Sequence, residues 1–188
     1  MSYLDDSVAQ LKIFEGVVPW MYLDTRGFVT VGVGEMLASS GRAQALPFID
    51  GGSNAVTPDV ILAEYNRVLA LPMARPAGSY QAAGSPTLAA DSITNLLMAH
   101  VQLFDGQLSA QFANYAAFPD PAKLGLLDMI YNLGPHGLFA GYPTLMGDVN
   151  SGNWAGAAAQ CHRNGPSADR NNWTQQQFLA GAAEAANG

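Results

Sequence analysis

The chain has 188 residues, of which 49% are hydrophobic and only 12% are charged, about half the usual charged share of a soluble domain. That is enough apolar material for a well-buried core, and it excludes a disordered chain. The formal net charge of −7 argues against a nucleic-acid partner, because such binding requires a basic surface.

Cysteine content and the N-terminus limit where the protein can be made. Cys161 is the single cysteine, which excludes an intrachain disulfide. The N-terminal residues MSYLDDS have neither the basic nor the apolar region of a signal peptide. No apolar run approaches the ~20 residues that span a bilayer. We therefore expect synthesis in the cytoplasm without a signal peptide, and no membrane insertion.

The first predicted element is a helix over residues 3–14. Leu4, Val8 and Leu11 recur at helical spacing and would form its apolar face. Pro19 follows soon after Gly16 and should end the helix.

A β-hairpin is predicted over residues 20–34. β-Branched and aromatic residues flank the turn Asp24-Thr25-Arg26-Gly27, which is the pattern of two strands joined by a tight turn. Gly32 and Gly34 weaken the second strand and allow close approach of another backbone or of a ligand.

The rest of the chain is predicted to be mainly helical. Residues 38–57 and 72–91 are rich in Gly, Ser, Pro and Ala and are interpreted as loops, while 58–71 is a helix that Thr57 caps and Pro58 opens. Further helices are expected near 92–115, 121–134, 143–150, 153–163 and 171–185. We predict one α+β domain, with a β-hairpin lobe at 15–91 that carries an insertion and a helical lobe at 92–188.

Three polar residues surround the helix–hairpin junction. Glu15, Asp24 and Thr30 lie nine and then six residues apart. A glycosidase needs an acid for the leaving oxygen and a group that orients an attacking water, and two carboxylates with a hydroxyl at one turn could supply both. Phe14, Val17 and Val18 are expected to surround Glu15 with apolar groups.

The same residues carry a family resemblance. The pattern Glu-x8-Asp-x5-Thr, with the strand GFVTVGVG around its end, resembles the phage-type lysozymes of glycoside hydrolase family 24. The segments LGLLDMIYNLGPHGL (124–138) and GNWAGAAAQ (152–160) are similar to that family's central and closing helices. The resemblance therefore covers both ends of the chain and implies a lysozyme-like α+β fold.

The resemblance also implies an activity. It is hydrolysis of the β-1,4 bond between N-acetylmuramic acid and N-acetylglucosamine in peptidoglycan, a bacteriolytic reaction that uses no metal or organic cofactor. Glu15 would be the general acid, and Asp24 and Thr30 would hold the attacking water. Two carboxyl groups about 6.5–9.5 Å apart give inversion and about 5–5.5 Å retention; the resemblance favours inversion.

Further roles follow by matching positions to the family. Four residues would line the saccharide cleft: Met36, Tyr131, Thr144 and Gln160. Arg170 would orient Glu15 through a charge-assisted hydrogen bond.

The sequence departs from the family in three places. Glu35 replaces the usual His after the strand glycine, which would remove an ion pair and add a negative charge near the site. Asn171 follows Arg170 where the family often has a second arginine, and 38–91 is longer than in compact members. This longer middle and the segment RNNWT (170–174) also resemble lysozyme-like domains of bacterial antagonism toxins. An inhibitor or immunity protein is then a further partner to consider, and another system would deliver the protein to the periplasm or cell wall.

Each residue also has an ordinary interpretation. A Glu at a helix end is commonly solvated, an Asp in a turn and a Thr in a strand reflect local propensity, Arg170 could be a surface cation, and Tyr131 and Met36 could be core. His100, His136 and His162 lack metal-ligand spacing. A lytic transglycosylase, a chitinase-like glycosidase and a non-catalytic wall-binding module remain alternative functions.

Overall fold

Eight helices and five short strands form an α+β fold in the computed structural model, which describes residues 2–187. The helices are α1 (Tyr3–Glu15), α2 (Ser40–Gln44), α3 (Pro58–Leu69), α4 (Ala90–Gln111), α5 (Asp120–Gly141), α6 (Pro143–Asn150), α7 (Trp154–Gln160) and α8 (Ala168–Asn187). The strands are β1 (Val18–Leu23), β2 (Val29–Gly32), β3 (Glu35–Met36), β4 (Phe48–Ile49) and β5 (Thr87–Leu88). Short 3₁₀ turns occupy Ala77–Tyr80 and Tyr115–Ala117.

The chain divides into two compact units. The sheet unit is Glu15–Leu97, and the helical unit joins the residues up to Phe14 with those from Met98 onward. Among residues 2–187, no helix has both the length and the hydrophobicity that a membrane crossing needs.

The sheet unit is built on five antiparallel strands in the order β3-β2-β1-β5-β4. Helix α3 packs against β1 and β2. Fully buried apolar side chains fill its core: Met21, Val31, Leu37, Phe48 and Val68. The hairpin expected over residues 20–34 is confirmed as the β1–β2 pair.

The middle region is more structured than its sequence indicated. The predicted helix at 58–71 is confirmed as α3 with Pro58 in its first turn, although the Thr57 side chain makes no capping hydrogen bond. The expectation that 38–57 and 72–91 are loops is wrong in part, because α2, β4, β5 and a 3₁₀ turn lie there. These elements are two to five residues long, too short to show a hydrophobic period.

An ion-pair cluster attaches the segment after α3 to that helix. Arg67 donates from Nε and Nη2 to the two carboxylate oxygens of Glu64, at 2.7 and 2.8 Å, and also to the carbonyl of Tyr80. The Ser85 hydroxyl donates to Glu64 at 2.7 Å. Although burial raises the pKa of Glu64, these bonds hold it below its ordinary value. The segment is therefore bound to α3 at two points.

Close helix contacts organise the helical unit. Helix α8 packs along α5, and the Phe178 ring is fully buried there. A Cβ atom added at Gly125 would lie 3.1 Å from that ring. Likewise, a Cβ at Gly181 would lie 3.0 Å from the Cβ of Ala122. Glycines thus permit the α5–α8 crossing.

Helix α5 contains a backbone break at Gly134, whose φ and ψ are 71° and 166°. The predicted termination at Gly134-Pro135 is confirmed at this point. Helical geometry resumes at Pro135 and continues to Gly141, a stretch that the sequence did not predict. Proline is well tolerated at the first position of a helix, because no partner is needed for its missing N–H.

We predict that Phe178→Ala lowers the free energy of unfolding by about 3–5 kcal/mol, because it leaves a cavity at the α5–α8 contact. Leu179→Ala is the matched control: Leu179 is the next residue on α8 and is 40% exposed, so its loss should change stability by less than about 1 kcal/mol. Denaturant titration of both variants measures the difference. Equal losses would contradict the assigned packing.

Candidate active site

Glu15 is the last residue of α1. Gly16 follows with a φ of 74°, a left-handed conformation that commonly ends helices; Pro19 already lies in β1. The Glu15 side chain is exposed, and Val17 is 45% exposed. The expectation that flanking apolar residues enclose Glu15 is therefore wrong: the chain turns away immediately after the helix and carries Val17 into solvent.

Asp24 closes the hairpin turn with its side chain. Its Oδ1 accepts hydrogen bonds from the backbone N–H groups of Arg26 and Phe28, each at 2.9 Å. Asp24 N–H donates to the Phe28 carbonyl at 2.9 Å, and Gly27 N–H donates to the Asp24 carbonyl at 3.0 Å. Gly27 has a φ of 83°, which is strained for any other residue. The turn thus fixes the carboxylate through Oδ1. The other oxygen, Oδ2, accepts none of these backbone hydrogen bonds and lies 3.5 Å from Arg26 Nε.

Thr30 lies on β2 and is only 3% exposed. Its hydroxyl donates to the carbonyl of Phe28 at 3.0 Å. A hydroxyl that donates its proton still has lone pairs to accept another hydrogen bond. Because the Phe28 N–H also donates to Asp24, the backbone of one residue contacts both polar side chains.

Strand register places Thr30 in a row across three strands. Tyr22 of β1 and Met36 of β3 are both direct partners of Thr30, and side chains of directly opposed residues lie on the same face. Tyr22 is half-buried and Met36 is 41% exposed. Neither is part of a closed core, so the core interpretation of Met36 is wrong.

Tyr22 belongs to the candidate site, although no sequence motif indicated it. Burial raises the pKa of its phenol, and the negative charges of Asp24 and then Glu15 raise it further. Both carboxylates therefore lie within electrostatic reach of one hydroxyl group. The sequence could have indicated this position through the alternation of side chains along a strand. Asp24 follows Tyr22 by two residues, so both side chains lie on the same side.

Glu35, which was expected to add a negative charge near the site, has that charge paired in the structure. It pairs with Val31 in the β2–β3 register, so the alternation of the strands turns it to the face opposite Thr30. Its carboxylate is buried and accepts from Arg42 Nη2 at 2.8 Å. The charge of Glu35 is thus compensated within the sheet unit.

The other predicted saccharide-binding residues belong to the helical unit. Thr144 on α6 and Gln160 at the end of α7 are exposed. Tyr131 on α5 is half-buried, and its ring meets the Phe104 ring edge-to-face at 6.0 Å. All three leave side-chain surface to solvent.

Arg170 is 6% exposed, so its interpretation as a surface cation is wrong. Its Nε donates to Asp128 Oδ1 at 2.8 Å, and its guanidinium lies 5.1 Å from the ring centre of Phe14, the residue before Glu15. Arg163 and Thr174 donate to the other oxygen of Asp128, each at 2.6 Å. In the sequence, this buried cluster was indicated only by Asp128, a charged residue inside an otherwise apolar stretch of α5.

A depression of about 610 Å³ lies beside the hairpin turn. Residues 22–25 form one wall and 74–77 form the other, so Tyr22 and Asp24 belong to its lining. No sequence pattern indicated a role for the second wall. Within residues 2–187, no group of three or more His, Cys, Asp or Glu side chains is placed to hold a metal ion.

Comparison with known proteins gives a structural match without a sequence match. No protein-family profile matches the chain, and no curated protein sequence matches it. Among solved structures, a point mutant of P22 lysozyme resembles it with a TM-score of 0.57 and 19% identity, over 93% of this chain and 95% of that chain. At this identity the likeness establishes the fold, and the predicted lysozyme-like α+β fold is confirmed.

We predict that Glu15→Gln lowers the pKa of Tyr22 because it removes one nearby negative charge. The pKa should stay above the ordinary ~10 of tyrosine, since burial is the larger cause of its shift. NMR titration of ¹³C-labelled tyrosine, assigned with Tyr22→Phe, measures this. Asp59→Asn is the control, because Asp59 is exposed on α3 and is not among the charges that act on Tyr22. Equal effects of the two substitutions would contradict the proximity of Glu15 and Tyr22.

Proposed function

We propose that this chain is a peptidoglycan hydrolase of the phage-type lysozyme kind, as found in glycoside hydrolase family 24. It would cleave the β-1,4 bond between N-acetylmuramic acid and N-acetylglucosamine. One observation carries the proposal: the charges of Asp24 and Glu15 both raise the pKa of the Tyr22 phenol, while Asp24 and Thr30 both hydrogen-bond to the backbone of Phe28. In a lysozyme-like fold, this is the set of groups that glycoside hydrolysis needs.

The proposed reaction has two proton transfers. Glu15, in its protonated form, donates its proton to the glycosidic oxygen as the bond from that oxygen to the anomeric carbon breaks. A water molecule attacks the anomeric carbon and gives one proton to Oδ2 of Asp24, the oxygen that the turn does not use. The Thr30 hydroxyl accepts a hydrogen bond from the same water, since its own proton is committed to Phe28. Proton exchange with solvent then restores the protonated form of Glu15 and the ionised form of Asp24.

We propose inversion at the anomeric carbon. In a retaining mechanism the second carboxylate attacks the sugar directly, whereas in an inverting one it holds water. Asp24 has one oxygen fixed by two amide donors, and Thr30 supplies a second acceptor for water. Such a pair suits the orientation of a water molecule better than a covalent attack.

The remaining residues would bind or support the substrate. Met36 lies in the Thr30 row and offers apolar contact to a sugar face. Tyr131, Thr144 and Gln160 would provide further polar contacts, and Arg170, held by Asp128, would support Glu15. General acid–base chemistry of this kind requires no metal or organic cofactor. Action on the cell wall would follow delivery by another system, with an inhibitor or immunity protein as a partner if the chain serves in bacterial antagonism.

We predict that Glu15→Gln lowers the rate of peptidoglycan cleavage by about 10²–10⁴-fold, the usual contribution of a general acid. Mass analysis of the products released from sacculi gives the measurement. Reducing ends from the unmodified protein identify a hydrolase, whereas 1,6-anhydro ends would identify a lytic transglycosylase.

The matched control is Glu184→Gln, which removes the same charge from an exposed site on α8 and should cleave normally. Unchanged cleavage by Glu15→Gln would refute the proposed acid. Binding of the unmodified protein to sacculi without any release would instead favour a non-catalytic wall-binding module, and release from chitin alone a chitinase-like enzyme.

Thr30→Val tests whether the hydroxyl acts on water or merely belongs to the strand. We expect kcat to fall about 10–100-fold with little change in KM, because an interaction made in the transition state is lost. Thr87→Val on β5 is the control within the same sheet. Steady-state kinetics and thermal unfolding are measured together; a loss of stability with full kcat would contradict the role in holding water.

A further inference from the structure

The depression beside the hairpin turn has the size of a ligand site. Its volume of about 610 Å³ lies within the ~300–1,000 Å³ range of small-molecule pockets. Asp24 forms part of its lining, so a group bound there would lie next to the carboxylate that the proposed reaction uses.

The second wall, residues 74–77, is held in place by several contacts. The Trp20 indole N–H donates to the carbonyl of Ala77 at 3.0 Å, and the Tyr80 hydroxyl donates to the carbonyl of Pro72 at 2.9 Å. Met73 packs onto the hairpin turn, since a Cβ atom added at Gly27 would lie 2.7 Å from Cε of Met73. Together with the Arg67 cluster, these contacts make the wall a fixed surface.

Arg75 is an uncompensated cation in this wall. The sheet unit contains four arginines, and three of them, Arg26, Arg42 and Arg67, form ion pairs with Asp24, Glu35 and Glu64. Within the described residues 2–187, Arg75 forms no ion pair. In a chain of net charge −7, this exposed guanidinium is available to an anion at the depression.

The lining around Arg75 is mainly apolar. Leu23 and the Tyr22 ring contribute from β1, and Ala74, Pro76 and Ala77 contribute from the second wall. Asp24, which also belongs to the lining, is already bound by two amides and lies near Arg26, so its charge is partly compensated. The depression therefore combines small apolar contacts with one carboxylate-binding group.

We propose that this depression binds the carboxylate-bearing peptide branch of the glycan strand, with Arg75 contacting a peptide carboxylate. The proposal rests on the proposed function, because it concerns the same substrate. The acetylated sugars of such a strand are uncharged, and its free carboxylates lie on the peptide attached to the lactyl group of the muramic acid. A guanidinium pairs with a carboxylate through two parallel hydrogen bonds, which a neutral sugar cannot offer.

The test measures binding rather than cleavage. Two soluble ligands are compared by NMR titration or calorimetry: a disaccharide-peptide fragment of peptidoglycan, and the same disaccharide with its peptide removed and its lactyl carboxyl group converted to a neutral amide. Both are measured in the Glu15→Gln background, so that the ligand stays intact. The protein that retains Arg75 should bind the disaccharide-peptide about 10- to 100-fold more tightly than the peptide-free sugar.

Arg75→Ala should remove most of this preference and leave the affinity for the peptide-free sugar unchanged. The matched control is Gln81→Glu, which shifts the net charge by the same amount, at an exposed position in the same segment and outside the depression; it should retain the preference. Equal affinities for the two ligands, no detectable binding of the disaccharide-peptide at millimolar concentration, or equal effects of Arg75→Ala and Gln81→Glu would each overturn the inference.

The outcome is separable from that of the proposed function. If the chain releases no sugar but shows the Arg75-dependent preference, the hydrolase proposal fails and the binding site stands. If the chain cleaves sacculi and Arg75→Ala changes neither binding nor the KM for peptide-bearing substrate, the binding site fails and the hydrolase proposal stands.

Discussion

The hairpin turn depends on a single carboxylate. Asp24 uses one oxygen to accept hydrogen bonds from two backbone N–H groups of its own loop, those of Arg26 and Phe28, an arrangement that short polar side chains adopt in turns. The interpretation of Asp24 as ordinary turn chemistry is therefore correct, but it does not compete with a functional one. A side chain fixed by backbone amides needs no further ordering when substrate binds, and preorganisation of this kind is what makes a polar group effective in catalysis.

The helical unit relies on a different use of a carboxylate. Asp128 is buried and receives hydrogen bonds from two guanidinium groups and a threonine hydroxyl. A buried charge is tolerated when it is paired and fully hydrogen-bonded, so one acidic residue determines the positions of Arg163 and Arg170. Because Arg170 also stacks on Phe14, the cluster fixes the end of the helix that carries Glu15.

Sequence reasoning succeeded where the determinants are local. Helix α1, the β1–β2 hairpin and α3 follow from short-range periodicity and turn residues, and the Glu15–Asp24–Thr30 spacing depends on those same elements. It failed where contacts join distant parts of the chain. Tyr22 was accessible in principle from strand alternation, whereas the placement of Arg75 beside the hairpin depends on how the segment after α3 packs, which no local pattern encodes.

The acidic composition does not exclude an anionic cell-wall substrate. Long-range attraction to an anionic wall is weak or reversed at a net charge of −7, but screening limits such fields to about 8–10 Å at physiological salt. Within that distance of the hairpin, local pairing decides the field. Asp24 lies near Arg26 and Glu35 is neutralised by Arg42, which leaves Arg75 as the uncompensated charge of the depression's second wall. An acidic chain can in this way present a local cation at its surface.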